Sequence, residues 1–377
     1  MRPSVSKVGS NCDQLVGTAI VRRLWLIAGL ATLFFAALAP SPVRAGVMLI
    51  GSPIAAGGYT FTNFDFSPLT GTATGSNVNG ISNTGQVVGV TVDANGAPTF
   101  TNFSGTPFTT LTQLNTGAGQ VAFGINSAGN VVGGNGTNAF FLPTGGSAQT
   151  LITPPGAINA FGINDKGNIV GQFTSGNNTP GFILPSSASA TFTTINQPTG
   201  ITADVINAQG INNNGLVVGF YLGNDGQVHG FNANAPASPG GSITATAVTD
   251  PTIPANPNEP GATFVFSQIL GINDAGLAVG YFGDSTTSQH GFFFNTNASS
   301  YTFLDDPAAM FHNGVEITQI TGITNSGEIA GFYTDANGTF HSFVAMPTIR
   351  TPEPASLLLV AAGLLGMGVF ARRRKSG

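Results

Sequence analysis

Six copies of one ten-residue pattern, Gly-Ile-(Asn/Ser/Thr)-x-x-Gly-x-(Val/Ile/Ala)-(Val/Ala)-Gly, constrain this chain more than any other feature. They begin at Gly80, Gly124, Gly162, Gly210, Gly271 and Gly322, at intervals of 44, 38, 48, 61 and 51 residues. Each copy reads as a hairpin. An apolar strand ends at Ile, a polar turn such as Asn164-Asp165-Lys166-Gly167 follows, and a β-branched strand such as Asn168-Ile169-Val170-Gly171 leaves. The glycine after the polar residues suits a left-handed turn position that a Cβ would strain.

Past the last glycine come aromatics (Phe220-Tyr221, Tyr281-Phe282, Phe332-Tyr333) and a second turn, such as Asp93-Ala94-Asn95-Gly96, Asn224-Asp225-Gly226 or Asp335-Ala336-Asn337-Gly338. A third strand then carries Phe100, Phe140, Phe182, Phe231, Phe292 or Phe343. A fourth β-rich segment, as in 59–64, 191–195 and 301–304, precedes the next copy. Four short strands every 38 to 61 residues is the period of a propeller blade. The expected fold is therefore all-β, a six-bladed β-propeller over residues 58–347, with 46–57 as a linker. The repeat begins with an orphan fourth strand near Tyr59 and ends on a third strand near Phe343. Pairing of 58–66 beside the 329–345 hairpin would close the ring and remove its edge. An open β-solenoid is the rival architecture and would need coils of more uniform length, capped at both ends.

Only 7% of the side chains are charged, against about 25% in an average soluble domain, which argues against a coiled coil or an ordinary helical cytosolic enzyme. Nine of the eleven basic residues lie before Gly46 or after Ala371. Between Gly46 and Arg350, only Lys166 and Arg350 face fourteen acids, a net charge of −12. Nucleic-acid binding needs a basic footprint, and this body has none.

Both ends read as addresses. Arg22 and Arg23 precede an apolar run, 24–39, then Pro40, Pro42 and Val43-Arg44-Ala45, the layout of a secretory signal peptide cleaved between Ala45 and Gly46 by signal peptidase. The single cysteine, Cys12, falls in this leader (1–45), so the mature body is expected to hold no disulfide and no thiolate ligand. At the other end, Pro352-Glu353-Pro354 closes a linker (348–354) and is followed by an apolar helix (355–371) and a basic tail (372–377) containing Arg372, Arg373 and Arg374. Seventeen residues of helix span about 25 Å, near the lower limit for crossing a bilayer. The basic cluster stays cytoplasmic, which puts the body on the far side.

This tripartite end closely resembles the PEP-CTERM sorting signal of Gram-negative bacteria that make exopolysaccharide. The resemblance covers about the last 26 residues and implies cleavage by an exosortase, then release or attachment at the cell surface. The repeats are also similar to the HAF family of extracellular repeats, named for a His-Ala-Phe element. Here that element stands as His229-Gly230-Phe231, His290-Gly291-Phe292 and His341-Ser342-Phe343, while Asn138-Ala139-Phe140 and Pro180-Gly181-Phe182 lack the histidine. That family implies an exported repeat protein and supplies no catalytic residue.

No residue pattern points to catalysis, a cofactor or a metal. His229, His290 and His341 share one repeat position, so symmetry would spread them around the ring, whereas zinc ligands must converge to about 2 Å from one ion. His312 lies in a polar loop without an evident partner. The Asp-x-Asn-Gly turns offer two side chains each, short of the oxygens calcium requires, and Asx turns account for them. Asp305 and Asp306 on a strand would face opposite ways. Lys166 sits in a solvated turn, and no nucleophile elbow or phosphate loop occurs. Trp25, the only tryptophan, leaves with the leader, so stacking on sugar would fall to Tyr221, Tyr281, Tyr333 and the phenylalanines, which core packing also explains. Two functions fit. One is a non-enzymatic surface or matrix protein that interacts with exopolysaccharide or other surface components. The other is a secreted propeller enzyme acting on glycans as hydrolase or lyase, against which stands the lack of a blade that breaks symmetry with clustered histidine and acids.

Overall fold

The computed structural model describes residues 46–67, 71–202 and 205–348. Of the expected terminal features, Gly46 is described. Ala45 and the leader, the Pro352-Glu353-Pro354 motif, the apolar helix and the basic tail with Arg372, Arg373 and Arg374 lie outside the described residues. Among the described residues, no helix is long and apolar enough to cross a membrane.

All the regular structure described is β, in a propeller-like arrangement of antiparallel meanders. β1 (Gly46–Ala56) and β2 (Tyr59–Ser67) form a hairpin. β3 (Gly75–Ile81), β4 (Val87–Val92), β5 (Pro98–Gly105) and β6 (Thr112–Gln113) form a four-stranded sheet. β7 (Val121–Ile125), β8 (Val131–Gly134), β9 (Ala139–Leu142) and β10 (Gln149–Thr150) make a second meander. It is continuous, through one residue pair, Asn159 with Gly134, with a third meander made of β11 (Ala157–Ile163), β12 (Ile169–Phe173), β13 (Gly181–Leu184) and β14 (Thr193–Asn196). β15 (Ile206–Ile211), β16 (Leu216–Leu222) and β17 (Val228–Asn234) follow; the chain then lends β18 (Ser242–Thr244) to β14 before β19 (Thr246–Ala247) completes their sheet. β20 (Phe264–Ile272), β21 (Leu277–Asp284), β22 (Gln289–Asn295) and β23 (Ser300–Phe303) form another four-stranded sheet. β24 (Thr318–Ile323), β25 (Ile329–Thr334) and β26 (Phe340–Pro347) end the chain of strands, and β2 then β1 extend that sheet in the order β1-β2-β26-β25-β24.

β2 thus lies beside the last strand, β26, as the phase of the repeat predicts. The 46–57 segment is not a linker. Turned by Gly57 and Gly58, both at positive φ, it pairs along β2 as the sheet's outer strand, and its exposed Met48 and Leu49 carry none of the repeat signature that marks the inner strands. The continuity of the second and third meanders is equally unexpected. The doubled glycine Gly133-Gly134 leaves β8 without a side chain where Asn159 approaches, and a Cβ on Gly134 would run into Asn159.

The repeat residues divide the structural work. The turn glycines 85, 129, 167, 215, 276 and 327 all have φ between +74° and +86°, the left-handed geometry that only glycine adopts without strain. The closing glycine of each copy pairs across the sheet with a third-strand phenylalanine: Gly89 with Phe103, Gly133 with Phe140, Gly171 with Phe182, Gly219 with Phe231, Gly280 with Phe292 and Gly331 with Phe343. These rings are at most 2% exposed. In five of the six pairs, all but Gly280–Phe292, a Cβ on the glycine would strike the paired ring. The first copy uses Phe103 instead of the expected Phe100, which stands 37% exposed at positive φ.

The opening glycines form the inner wall. A side chain on Gly124 would meet the Phe161 carbonyl oxygen at 2.6 Å and Gly162 Cα at 3.1 Å; one on Gly210 would meet Gly271 Cα at 3.1 Å; and one on Gly322 would meet Gly80 Cα at 3.5 Å. Close contact therefore passes from copy to copy and returns to the first. Beside each of these glycines, the register between first and second strand slips by one residue. Such a bulge re-aims the unpaired side chain, and the residues concerned are Asn79, Phe123, Phe161, Gln209, Leu270 and Thr321. Apolar clusters fill the space between neighbouring sheets; Val170 and Ile183, for example, pack with Ile206, Val217 and Phe231.

Candidate functional site

The re-aimed residues line an axial cavity of about 910 Å³, to which the first strand of each meander contributes. At one mouth the repeat turns are laced together. The backbone N–H groups of Ser127, Asp165, Asn213, Asp274 and Asn325 donate to the side chains of Asp165, Asn213, Asp274, Asn325 and Asn83, at 2.7 to 3.0 Å. Beneath them, Asn126, Asn164, Asn212 and Asn273 each donate from Nδ2 to the carbonyl of the matching residue one copy on. Ser127 is the short member of the upper ring, and Asn83 Nδ2 reaches past it to Asp165 Oδ2 at 2.8 Å. Burial alone would raise the Asp165 carboxyl, but hydrogen bonds from Asn83, Ser127 and Asn213 outweigh it and hold the group below its ordinary value. Burial is likewise overcome at Asp274 by Asn213 and Asn325.

The paired aromatics split between two tasks. Phe220, Tyr281 and Phe332, one residue past the closing glycine, line the cavity. Tyr221, Phe282 and Tyr333, one further on, face away and lie against His229, His290 and His341, with ring centroids 5.2 to 5.6 Å apart. Two carboxamides in the cavity wall are incompletely paired: Asn77 Oδ1 and Gln268 Nε2 are buried and have no partner among the described residues. Buried polar atoms are normally satisfied, so both call for a hydrogen-bonding guest or water.

The three histidines sit in different sheets, and each is clamped between carboxylates. Nδ1 donates to an acid from the fourth strand or just beyond it: His229 to Asp250 at 2.7 Å, His290 to Asp305 at 2.8 Å and His341 to Asp65 at 2.8 Å. Nε2 faces an acid of the second turn: Asp225 at 3.0 Å, Asp284 at 4.0 Å and Asp335 at 3.6 Å. Asp65 lies on β2, so one of these clamps joins β2 to β26, the last strand described. The spacing His-x-Phe is visible in sequence, but the matching acids lie 15 to 276 residues away.

Burial pulls the His341 imidazole down, but the hydrogen bond and charge of Asp65, with Asp335 behind, raise it above its ordinary value of 6.5. The folded chain therefore holds this proton more tightly than the unfolded chain. The resulting stabilisation is complete below about pH 6.5 and is lost as the pH climbs through the higher folded value. We expect His341→Gln to cost about 1–3 kcal/mol near pH 6, and the gap to wild type in chemical denaturation to shrink near pH 9. An equal gap at both pH values would show that the charge contributes nothing.

The sheet of β20–β23 departs from the other two clamps. Its histidine meets a third acid, Glu259, from the segment between β19 and β20, with Nε2 to Oε2 at 3.1 Å. Nothing in the sequence marks this break in the repeat, because Glu259 lies 31 residues from His290 in a Pro-rich stretch without pattern. Burial again pulls His290 down, yet Asp305, Glu259 and Glu316 outweigh it and hold the imidazole at about 9. Desolvation pushes Glu316 up to about 7. Asp305 and Asp306 do diverge, with Asp306 buried and accepting from Asn63 Nδ2 at 3.2 Å. His312 has partners after all: Nδ1 donates to the Ala336 carbonyl at 3.0 Å, and Nε2 accepts from Asn313 at 2.8 Å. Lys166 is exposed in its turn.

Among curated proteins none matches the chain. Solved structures to which it is similar include a prolyl endopeptidase, at 13% identity over 77% of this chain and 47% of that one, with a TM-score of 0.39. The chain spans about half the length of that protein. Virginiamycin B lyase from Staphylococcus aureus is 13% identical over 80% of this chain and 99% of its own, with a TM-score of 0.39. The Aleuria aurantia lectin in complex with α-methyl-L-fucoside is 10% identical over 82% and 97%, with a TM-score of 0.35. Residues 350–375 match the PEP-CTERM protein-sorting motif. The chain thus carries at its C-terminal end a PEP-CTERM sorting signal, which implies processing by an exosortase, export, and a membrane-anchored intermediate bound for the cell surface.

Proposed function

We propose that the protein is a non-enzymatic cell-surface or extracellular-matrix component whose closed ring of six four-stranded blades, with HAF-type repeats, binds neutral exopolysaccharide in its axial cavity. The composition of the cavity wall carries this reading. The carboxamides of Asn77, Gln209 and Gln268 stand among the rings of Phe123, Phe161 and Phe332. Carboxamides donate and accept toward hydroxyl groups, and aromatic faces cover the apolar faces of sugar rings. The net charge of −12 over the body favours an uncharged polymer over an anionic one. The six-blade count is supported by the six motif copies and by the inner glycine contacts that return from Gly322 to Gly80.

The test is binding of the full chain to a panel of neutral and acidic bacterial polysaccharides, alongside a hydrolase and lyase screen. Binding of a neutral polymer, weakened at least about tenfold by Gln268→Met, is the expected outcome. Absence of binding to any neutral polymer removes the reading. Turnover abolished by Asp250→Ala or Asp305→Ala would replace it with a glycan-acting enzyme.

A further inference from the structure

The geometry points to a binding site for one zinc-class divalent cation, formed by His290 Nε2 and the carboxylates of Glu259 and Asp284, with Asp305 fixing the imidazole through Nδ1. One ligand atom from each of the three residues lies within 4.8 Å of the others. A tetrahedral ion with bonds of about 2 Å sets its ligand atoms roughly 3.3 Å apart, so closing on the ion takes up to about 1.5 Å of approach at the widest pair. The Asp305 bond at 2.8 Å leaves Nε2 as the nitrogen aimed between the two acids, the arrangement in which a carboxylate orients a ligating imidazole.

The cluster carries more negative than positive charge, although Asn256 Nδ2 donates to Glu259 Oε2 at 2.7 Å and the Thr286 N–H donates to Asp284 Oδ1 at 2.9 Å. Thr286 Oγ1 lies 2.9 Å from Glu259 Oε1 and 2.6 Å from Asp284 Oδ1, and a hydroxyl has one proton to give. Asp284 Oδ2 lies 4.0 Å from His290 Nε2 and accepts no hydrogen bond from a described residue, although the side chain is just 2% exposed. Glu259 is 3% exposed in its side chain. Three carboxylates, with Glu316 beyond them, surround one imidazole, and buried charges persist only when paired or bound to metal. No side chain can make up the deficit, because Lys166 is the only lysine or arginine among the described residues.

The repeat supplies its own control. His229 and His341 keep the two-acid clamp and lack the third acid. Only at His290 does the segment between β19 and β20 add Glu259, and the same segment, through Ile253, Pro254 and Pro257, walls a cavity of about 210 Å³ onto which Glu259, Asp284 and His290 all open. Three protein ligands beside a cavity leave a coordination position for water or an exogenous ligand. Imidazole with two carboxylates selects a first-row divalent ion over calcium, which takes oxygen ligands.

Full-length protein in detergent, stripped with chelator, is titrated with Zn²⁺ and with Ca²⁺ by calorimetry and by equilibrium dialysis with elemental analysis. One equivalent of Zn²⁺ is expected to bind. Glu259→Gln should lower the affinity at least tenfold, Asp305→Asn should lower it 10 to 100-fold as an orienting residue, and His229→Gln should leave it unchanged. Failure of the wild type to take up one equivalent, preference for Ca²⁺, or equal losses in Glu259→Gln and His229→Gln would overturn the site. Should Glu259→Gln fold poorly by circular dichroism, the Co²⁺-loaded wild type decides. Intense d–d absorption from a low-coordinate nitrogen and oxygen set supports the site, and the weak spectrum of hexa-aqua Co²⁺ refutes it. Polysaccharide binding is measured on the same samples and is independent of this outcome.

Discussion

Asp65→Ala is expected to destabilise the fold by about 3–5 kcal/mol, the cost of breaking a buried charged pair by removing one member. Asp65 is 0% exposed. Its Oδ2 accepts from His341 at 2.8 Å, and its Oδ1 accepts from the backbone N–H and hydroxyl of Ser76 at 3.1 and 3.0 Å. One carboxylate thus ties β2 to β26 in its own sheet and to β3 in the next. Alanine leaves the His341 imidazole facing a void and the Ser76 N–H unpaired, while the Ser76 hydroxyl keeps Ser342 Oγ at 3.0 Å. The melting temperature should fall by at least about 5 °C, and amide exchange should accelerate first in β2 and β26. A loss below about 1 kcal/mol, or exchange spread evenly over all sheets, would mean that β2 is held by the strand ladder alone. Asp225→Ala is the contrast: it faces His229 from an acid whose side chain is 52% exposed, so its loss should stay within about 1 kcal/mol.

Phe231→Ala should cost a similar amount, about 3–5 kcal/mol, through the lost burial and the cavity left behind. The ring lies over Gly219, which has no side chain to collapse into the hole, and packs with Val217 and Ile206 between two sheets. Phe100→Ala, on the same kind of strand, should cost clearly less, about 1 kcal/mol, because that residue is 37% exposed and not sealed in the core. Equilibrium denaturation of the two variants side by side separates them. Equal losses would refute the assignment of Phe103, and not Phe100, to the repeat position.

Much of this arrangement is legible in the sequence because the repeat glycines are under local constraint. A turn that needs positive φ, or a strand that must pass beneath a phenyl ring, leaves the same mark at Gly167 and Gly171 as at Gly215 and Gly219. Aromatic position shows where the reading stops. Phe220 and Tyr221 are neighbours of similar character, and only the pleat, with side chains alternating across the sheet, sends one to the cavity and the other to His229. The two Phe residues of β5 pose the same problem, since Thr99, Phe100, Thr101, Asn102 and Phe103 fit the repeat in either register until the pairing of Gly89 is known. The cluster around His290 was not legible at all. Asp284 and Asp305 have counterparts at His229 and His341, but Glu259, in the segment between β19 and β20, has none, and no periodicity points to it.

The strand order of the last sheet also ties folding to translocation. β2 is among the first parts of the body to be made and β26 the last, ending at Pro347, with the sorting motif beginning at residue 350. Until Phe340–Pro347 has emerged, β2 has no neighbour but β1, and its other edge stays open to pairing with any extended chain nearby. The last sheet therefore cannot be finished from a prefix of the chain. Completion of this sheet waits on residues 340–347, which lie immediately before the sorting signal.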